Sequence, residues 1–235
     1  MRSKKLCALL LAASMVVVPQ TVPVSAQAMV AGEQAESSYD IRLDDIVVNS
    51  DYNENQVYLK REVSSNETTV VVYDKATGAV LEEMSERSEP VVSSAVRNRS
   101  VSTYSVSDHT FMKFVTRTRK DGPIETTLEL QLQIYSEGSF RQINKCVGAK
   151  IFASSSSDTT LEDATAHCVS ASGKYPCVKV NYSGSGVITG AATKSLGSEF
   201  SVSALELAGY SVSCETSKTW YYRKYVQISG SYSLY

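Results

Sequence analysis

The chain has 235 residues, 43% of them apolar and 20% charged, with 12 Gly, 5 Pro and a formal charge of −2. That composition can bury one or two cores and excludes a wholly disordered or collagen-like chain. The near-neutral balance argues against a generally basic nucleic-acid binder, and two His and one Trp leave few of the usual bases and stacking platforms.

Arg2, Lys4 and Lys5 precede an apolar run from Leu6 to Val18 that only Ser14 interrupts. Pro19 closes the run, and Val24-Ser25-Ala26 and Ala26-Gln27-Ala28 place small residues where a peptidase would cut. This layout predicts a secretory signal peptide over residues 1–28, cleaved after Ala28, and so a secreted, extracellular protein. The apolar run is too short for the roughly 20 residues that cross a bilayer. Cys7 would leave with the signal. No later stretch reaches spanning length, so no transmembrane segment is expected in the mature chain. The Ser231–Tyr235 end carries no basic tail, apolar tail or sorting motif that would predict an anchor.

Residues 29–105 hold seven basic and fourteen acidic side chains, whereas residues 106–235 hold thirteen basic and eleven acidic. Such a division fits two halves that attract each other, a separate acidic domain, or a removable pro-segment. Residues 29–84 read as a small acidic β-rich segment. A leader to Asp40 is followed by strands over Ile41–Val48 and Gln56–Val63, with a turn at Asp51–Asn55 between them. Thr68–Met84 reads as a hairpin turning at Asp74-Lys75-Ala76-Thr77-Gly78, its glycine placed for positive φ. Residues 85–107 are charged and Ser-rich and read as a flexible linker, with Arg87, Arg97 and Arg99 offered to proteases.

Residues 108–235 read as an antiparallel β-sandwich, giving an all-β fold class. In Thr126–Tyr135, Leu128, Leu130, Leu132 and Ile134 alternate with polar residues, which puts four apolar side chains on one sheet face. Phe111–Arg119 precedes it across an Asp121-Gly122-Pro123 turn. Further strands are expected at Ser139–Ala153, Cys177–Tyr182 and Gly186–Gly190, and in the C-terminal run of Val226, Ile228, Tyr232 and Leu234, with Gly230 as a bulge position. Ala204–Ala208 with Gly209 behind it reads as one helical turn with a glycine stop.

Four cysteines remain after the signal: Cys146, Cys168, Cys177 and Cys214. An even number in an oxidising compartment predicts two disulfides. Cys168 with Cys177 would close a short hairpin, leaving Cys146 with Cys214, although spacing alone permits three pairings. No Cys-x-x-Cys or His pair suggests zinc, and no metal or cofactor is expected. His109 and His167 are far apart in sequence. There is no Gly-x-Ser-x-Gly, and Gly184-Ser185-Gly186 reads as a turn without the Lys and helix of a phosphate loop. No catalytic residue is therefore assigned. Lys113, Arg117 and Arg119 share strand parity, and a charged, solvated strand edge accounts for them as well as a nucleic-acid stripe does.

The most suggestive surface is Trp220-Tyr221-Tyr222-Arg223-Lys224-Tyr225. Tyr221, Arg223 and Tyr225 share one strand face, and aromatics beside a cation bind sugars and protein partners. Together with the export signal and the Asp74–Gly78 hairpin, this Tyr-rich strand resembles small secreted proteins of Gram-positive bacteria, a likeness that assigns no site. The leading expectation is a non-catalytic secreted protein acting by adhesion to a cell-surface glycan or protein. A secreted hydrolase with an N-terminal pro-segment and a secreted toxin or antimicrobial polypeptide are the alternatives.

Overall fold

The computed structural model describes residues 38–90, 109–154, 158–193, 201–216 and 219–235. The expected signal peptide with Cys7, and most of the expected linker, lie outside these residues. The chain divides into compact units at Ala35/Glu36, and every described residue belongs to the second. Among the described residues no helix is long and apolar enough to cross a membrane.

The fold is an all-β antiparallel sandwich. In chain order its strands are β1 (Ser38–Arg42), β2 (Ile46–Asn53), β3 (Val57–Val63), β4 (Glu67–Asp74), β5 (Val80–Pro90), β6 (Thr110–Asp121), β7 (Ile124–Glu137), β8 (Phe140–Ser154), β9 (Asp158–Ser170) and β10 (Lys179–Thr193). The helix α1 (Val202–Leu207) then precedes β11 (Ser211–Thr216) and β12 (Thr219–Leu234). One sheet runs β3-β4-β5-β6-β7-β8. The other runs β1-β2-β12-β10-β9, with β11 also paired to β12.

Alternation places the core. Leu128, Leu130, Leu132 and Ile134 of β7 are all buried and pack with Val70, Val72 and Met84 from their own sheet and with Ile41, Val48, Val180 and Ile228 from the facing one. A second cluster of Ile124, Ile188, Leu205, Tyr210, Tyr222 and Val226 seats α1 against the sandwich. Ser201 caps α1, accepting from the Ala204 N–H, and Gly209 follows it at φ +83°.

Several expectations shift. The stretch expected as one strand over Ile41–Val48 is broken at Leu43–Asp45 between β1 and β2. The linker begins later than expected, because Ser85–Pro90 continue β5 and pair with β6 from Thr116 to Phe111. β3, β4 and β5 form half of a sheet that runs on into β8. β9 was not expected at all. Gly184 and Gly186 sit inside β10 rather than in a turn. A Cβ on Gly184 would lie 2.6 Å from Leu128 Cδ1 of the facing sheet, so only glycine permits this closeness. Gly230 is not a bulge, since it keeps register opposite Tyr182. A Cβ there would meet the Tyr182 hydroxyl at 2.6 Å.

β12 is the hinge of its sheet. One side pairs along its length with β10. The other side pairs with β11 over residues 219–223 and with β2 only at 232–234. Among the described residues, no strand lies against that side between Lys224 and Ser231.

Candidate functional site

Two groups of chemistry-bearing side chains stand out, one inside the sandwich and one outside. The inner group comes from the basic stripe of β6. Lys113, Val115 and Arg117 face the core, with Lys113 1% and Arg117 0% exposed. Lys113 and Arg117 are therefore not on a solvated edge, whereas Arg119, the third member of the stripe, is partly exposed and meets Asp51. Each buried cation meets a buried carboxylate on β5: Arg117 bonds Glu82, and Lys113 bonds Glu86. Arg117 also crosses to the facing sheet. It donates to Asp51 Oδ2 on β2 (2.8 Å), to the Tyr182 hydroxyl on β10 (2.8 Å) and to the Ser229 carbonyl on β12 (3.0 Å). Lys113 reaches Asp45 at 2.7 Å, and Glu86 accepts the backbone N–H groups of Asp44, Asp45 and Ile46. This is what breaks the chain between β1 and β2: the Glu86 carboxylate holds the three amides as a turn.

Burial by itself would lower the Lys113 pKa, but Glu86 and Asp45 outweigh it and hold the ammonium above the usual lysine range. The same competition, won by Glu82, Tyr182 and Asp51, raises Arg117. Burial raises the Tyr182 hydroxyl, against the pull of Arg117. The Asp44, Asp45 and Glu86 carboxylates converge within 4.8 Å of one another, as ligands of a cation would. The cation among them is the Lys113 ammonium, 3.6 Å from Asp44.

Ion pairs at the sheet interface join the acidic half of the sequence to the basic half. Asp45 meets Lys113 and Arg141, Asp51 meets Arg117 and Arg119, and Glu82 and Glu86 meet Arg117 and Lys113. The signal for an inward stripe was present in the sequence, since Val115 shares the parity of Lys113 and Arg117. Glu82 and Glu86, which sequence reasoning missed, flank Met84 in the same way.

The outer group lies on the solvent face of the β9-β10-β12 sheet. Tyr221, Arg223 and Tyr225 all point outward, while Trp220, Tyr222 and Lys224 point inward. Tyr222 is buried and its hydroxyl meets Thr159 Oγ1 at 2.7 Å. Pairing sets Tyr221 beside Ala191 and Ser213, and Arg223 beside Thr189 and Ser211. These side chains, with Glu162 of β9, line a groove of about 660 Å³. Its wall is ordered by hydroxyls: Thr160 and Thr189 meet at 2.8 Å, and Thr189 donates to Glu162 at 3.0 Å. Glu162 precedes Asp163, whose φ of +51° marks a bulge opposite Gly186. Tyr225 lies beyond the groove, 61% exposed, with its hydroxyl 3.3 Å from Gln227. The expected trio is thus on one face, and the groove takes two of its members.

The cysteines separate into a group and an outlier. Cys146 on β8, Cys168 on β9 and Cys177 in the β9–β10 connection all pack against the main core. Cys177 is fixed beside Ile143 by two backbone hydrogen bonds of 2.7 and 3.0 Å. Cys214 lies at the other end. Cys168 pairs with Tyr182 and so stands level with Gly230 of β12, whereas Cys214 stands level with Trp220. Ten residues of strand separate these levels, roughly 33 Å at 3.3 Å per residue. A bond from Cys214 to the Cys146 group does not fit this fold.

His109 and His167 are both exposed, and His109 packs its ring against Tyr135 at 5.9 Å. Glu129, one of the carboxylates on an expected strand, is engaged by Lys150 at 3.2 Å and by Gln131 at 3.1 Å. No protein-family model, curated protein or solved structure matches the chain.

Proposed function

We propose that the chain is an exported protein that acts by contact, holding a polyhydroxylated ligand such as a glycan against the outer face of the β9-β10-β12 sheet. Export rests on the arrangement of residues 1–28, and it would carry the cysteines to a compartment where disulfides form. The observation that carries the reading is the groove. It combines an aromatic ring (Tyr221), a guanidinium (Arg223), a carboxylate (Glu162) and three hydroxyl side chains (Thr189, Ser211, Ser213) in one concave surface. Aromatic faces cover the apolar side of a sugar ring, while hydroxyls and charges satisfy its polar edge. A long strand backbone fixes these groups with little ordering left to do on binding.

The pro-segment and toxin readings lose support from the inner ion pairs. A cut between residues 85 and 107 that released the acidic half would strip Lys113 and Arg117 of Glu86 and Glu82. Two buried cations would be left in a sheet that had lost three of its six strands.

The test is a glycan array and pull-down with the full mature chain and its Tyr221→Ala, Arg223→Ala and Tyr225→Ala variants. Tyr221→Ala and Arg223→Ala are expected to weaken binding by about tenfold or more, equivalent to roughly 1.4 kcal/mol. Tyr225→Ala should do less. Binding that survives all three changes would remove this face from the account.

A further inference from the structure

We propose that Cys146 and Cys168 are a thiol–disulfide exchange pair, in which Cys146 attacks a small disulfide and Cys168 resolves it, leaving a bond that ties β8 of one sheet to β9 of the other. This goes beyond the surface-binding reading and does not depend on it. The geometry comes first. β8 and β9 are the edge strands of opposite sheets, and they meet along one open side of the sandwich. Both cysteines turn toward the core there, and both remain partly exposed, so a small reagent can reach them. The Cys168 thiol is hydrogen-bonded to Cys146, and the Cys146 sulfur also lies 3.4 Å from the Gly148 carbonyl.

The same contact divides the labour between the two sulfurs. The hydrogen bond from Cys168 lowers the Cys146 thiol below the ordinary range, against burial, while that bond and burial together raise Cys168. The attack is accordingly assigned to Cys146 and the resolution to Cys168. Cys177 is the third sulfur near Cys168, but the three do not form a metal cluster: among the described residues, the one trio of ligand atoms within 4.8 Å of one another is Asp44, Asp45 and Glu86.

The reaction balances with a small disulfide as oxidant. The Cys146 thiolate attacks one sulfur of the small disulfide, forming a mixed disulfide and expelling one small thiolate. Cys168, after losing its proton to solvent, attacks the Cys146 sulfur and expels the second small thiolate. Two protein thiols are oxidised, one small disulfide is reduced to two thiols, and the protons are exchanged with water.

Trypsin makes the test direct, because Lys145, Lys150, Lys174 and Lys179 place each cysteine of the group on its own peptide. The reduced full mature chain is incubated with oxidised glutathione, alkylated and mapped without reduction. Alkylated peptides 146–150 and 151–174 are expected to be lost together and to reappear as one linked species. Peptide 175–179 should stay alkylated. In Cys168→Ser, glutathione should accumulate on Cys146, and in Cys177→Ser the 146–150 to 151–174 link should still form. A link from 151–174 to 175–179, a link from 146–150 to the peptide of Cys214, or full alkylation of Cys146 after exposure to glutathione disulfide would each overturn the proposal.

Discussion

β6 and β12 both carry cations and aromatic residues, and they spend them in opposite directions. β6 turns Lys113 and Arg117 into the sandwich, whereas β12 turns Tyr221, Arg223 and Tyr225 toward solvent. The difference lies in the neighbours. Beside β6 runs β5, with Glu82 and Glu86 buried on the same face and placed diagonally to Arg117 and Lys113. Beside the outer face of β12 stand Thr189, Ser211 and Ser213. A charge enters a core when its desolvation is met by a full set of partners, and Arg117 has four of them. A one-residue slip of β6 would put both cations outside and leave Glu82 and Glu86 unpaired inside, so the pairs also fix the register of the sheet.

The largest effects should come from breaking the inner arrangement. Glu82→Ala leaves the Arg117 guanidinium buried with its main counter-ion gone and should cost about 3–5 kcal/mol in urea denaturation. Glu86→Ala should cost at least as much as Lys113→Ala, because it also orphans the amides of Asp44, Asp45 and Ile46. Equal losses at Glu82 and at an exposed carboxylate such as Glu62 would erase the contrast between the two faces. Next comes Gly230→Ala, which forces a methyl against the Tyr182 hydroxyl and Arg117 and should cost about 1–3 kcal/mol.

A pH series sharpens the comparison further. The folded-state pKa of Lys113 is raised, so its contribution to stability is complete below the ordinary lysine range and is lost as pH rises through the higher folded value. Stability should therefore decline on the alkaline side, and Lys113→Met should flatten that decline. The smallest effect belongs to the outer face. Tyr225→Ala should change stability by less than about 0.5 kcal/mol. A loss there as large as that of Glu82→Ala would make the outer tyrosines structural.

Much of the fold was legible because it follows local alternation. β7 could be read from Leu128 to Ile134, the β4–β5 hairpin from Asp74–Gly78, and α1 from Ala204–Gly209. β9 was not legible. Its inward side is built from Thr159, Leu161, Ala166, Cys168 and Ser170, mostly small or polar, and the bulge at Asp163 breaks the period halfway. The end of β5 was hidden for a different reason. Ser85 and Glu86 look like linker residues, and partners on another strand make their burial possible: the Lys113 ammonium for Glu86 and the Thr116 hydroxyl for Ser85. At the groove, the sequence placed Tyr221 and Arg223 on one face. Glu162, Thr189, Ser211 and Ser213 arrive from three other strands, through pairings that no local pattern specifies.

The edge of β12 from Lys224 to Ser231, against which no strand lies among the described residues, has one more consequence. An uncovered edge of this length is a template on which a second molecule could add a strand and start an aggregate. Here Arg117 and Arg119 reach over from β6 and donate to the Ser229 and Gln227 carbonyls, with the Asp51 carboxylate accepting from both arginines. Guanidinium groups thus occupy acceptors that an incoming backbone would need, and the seam that divides this sheet is also what keeps it from propagating.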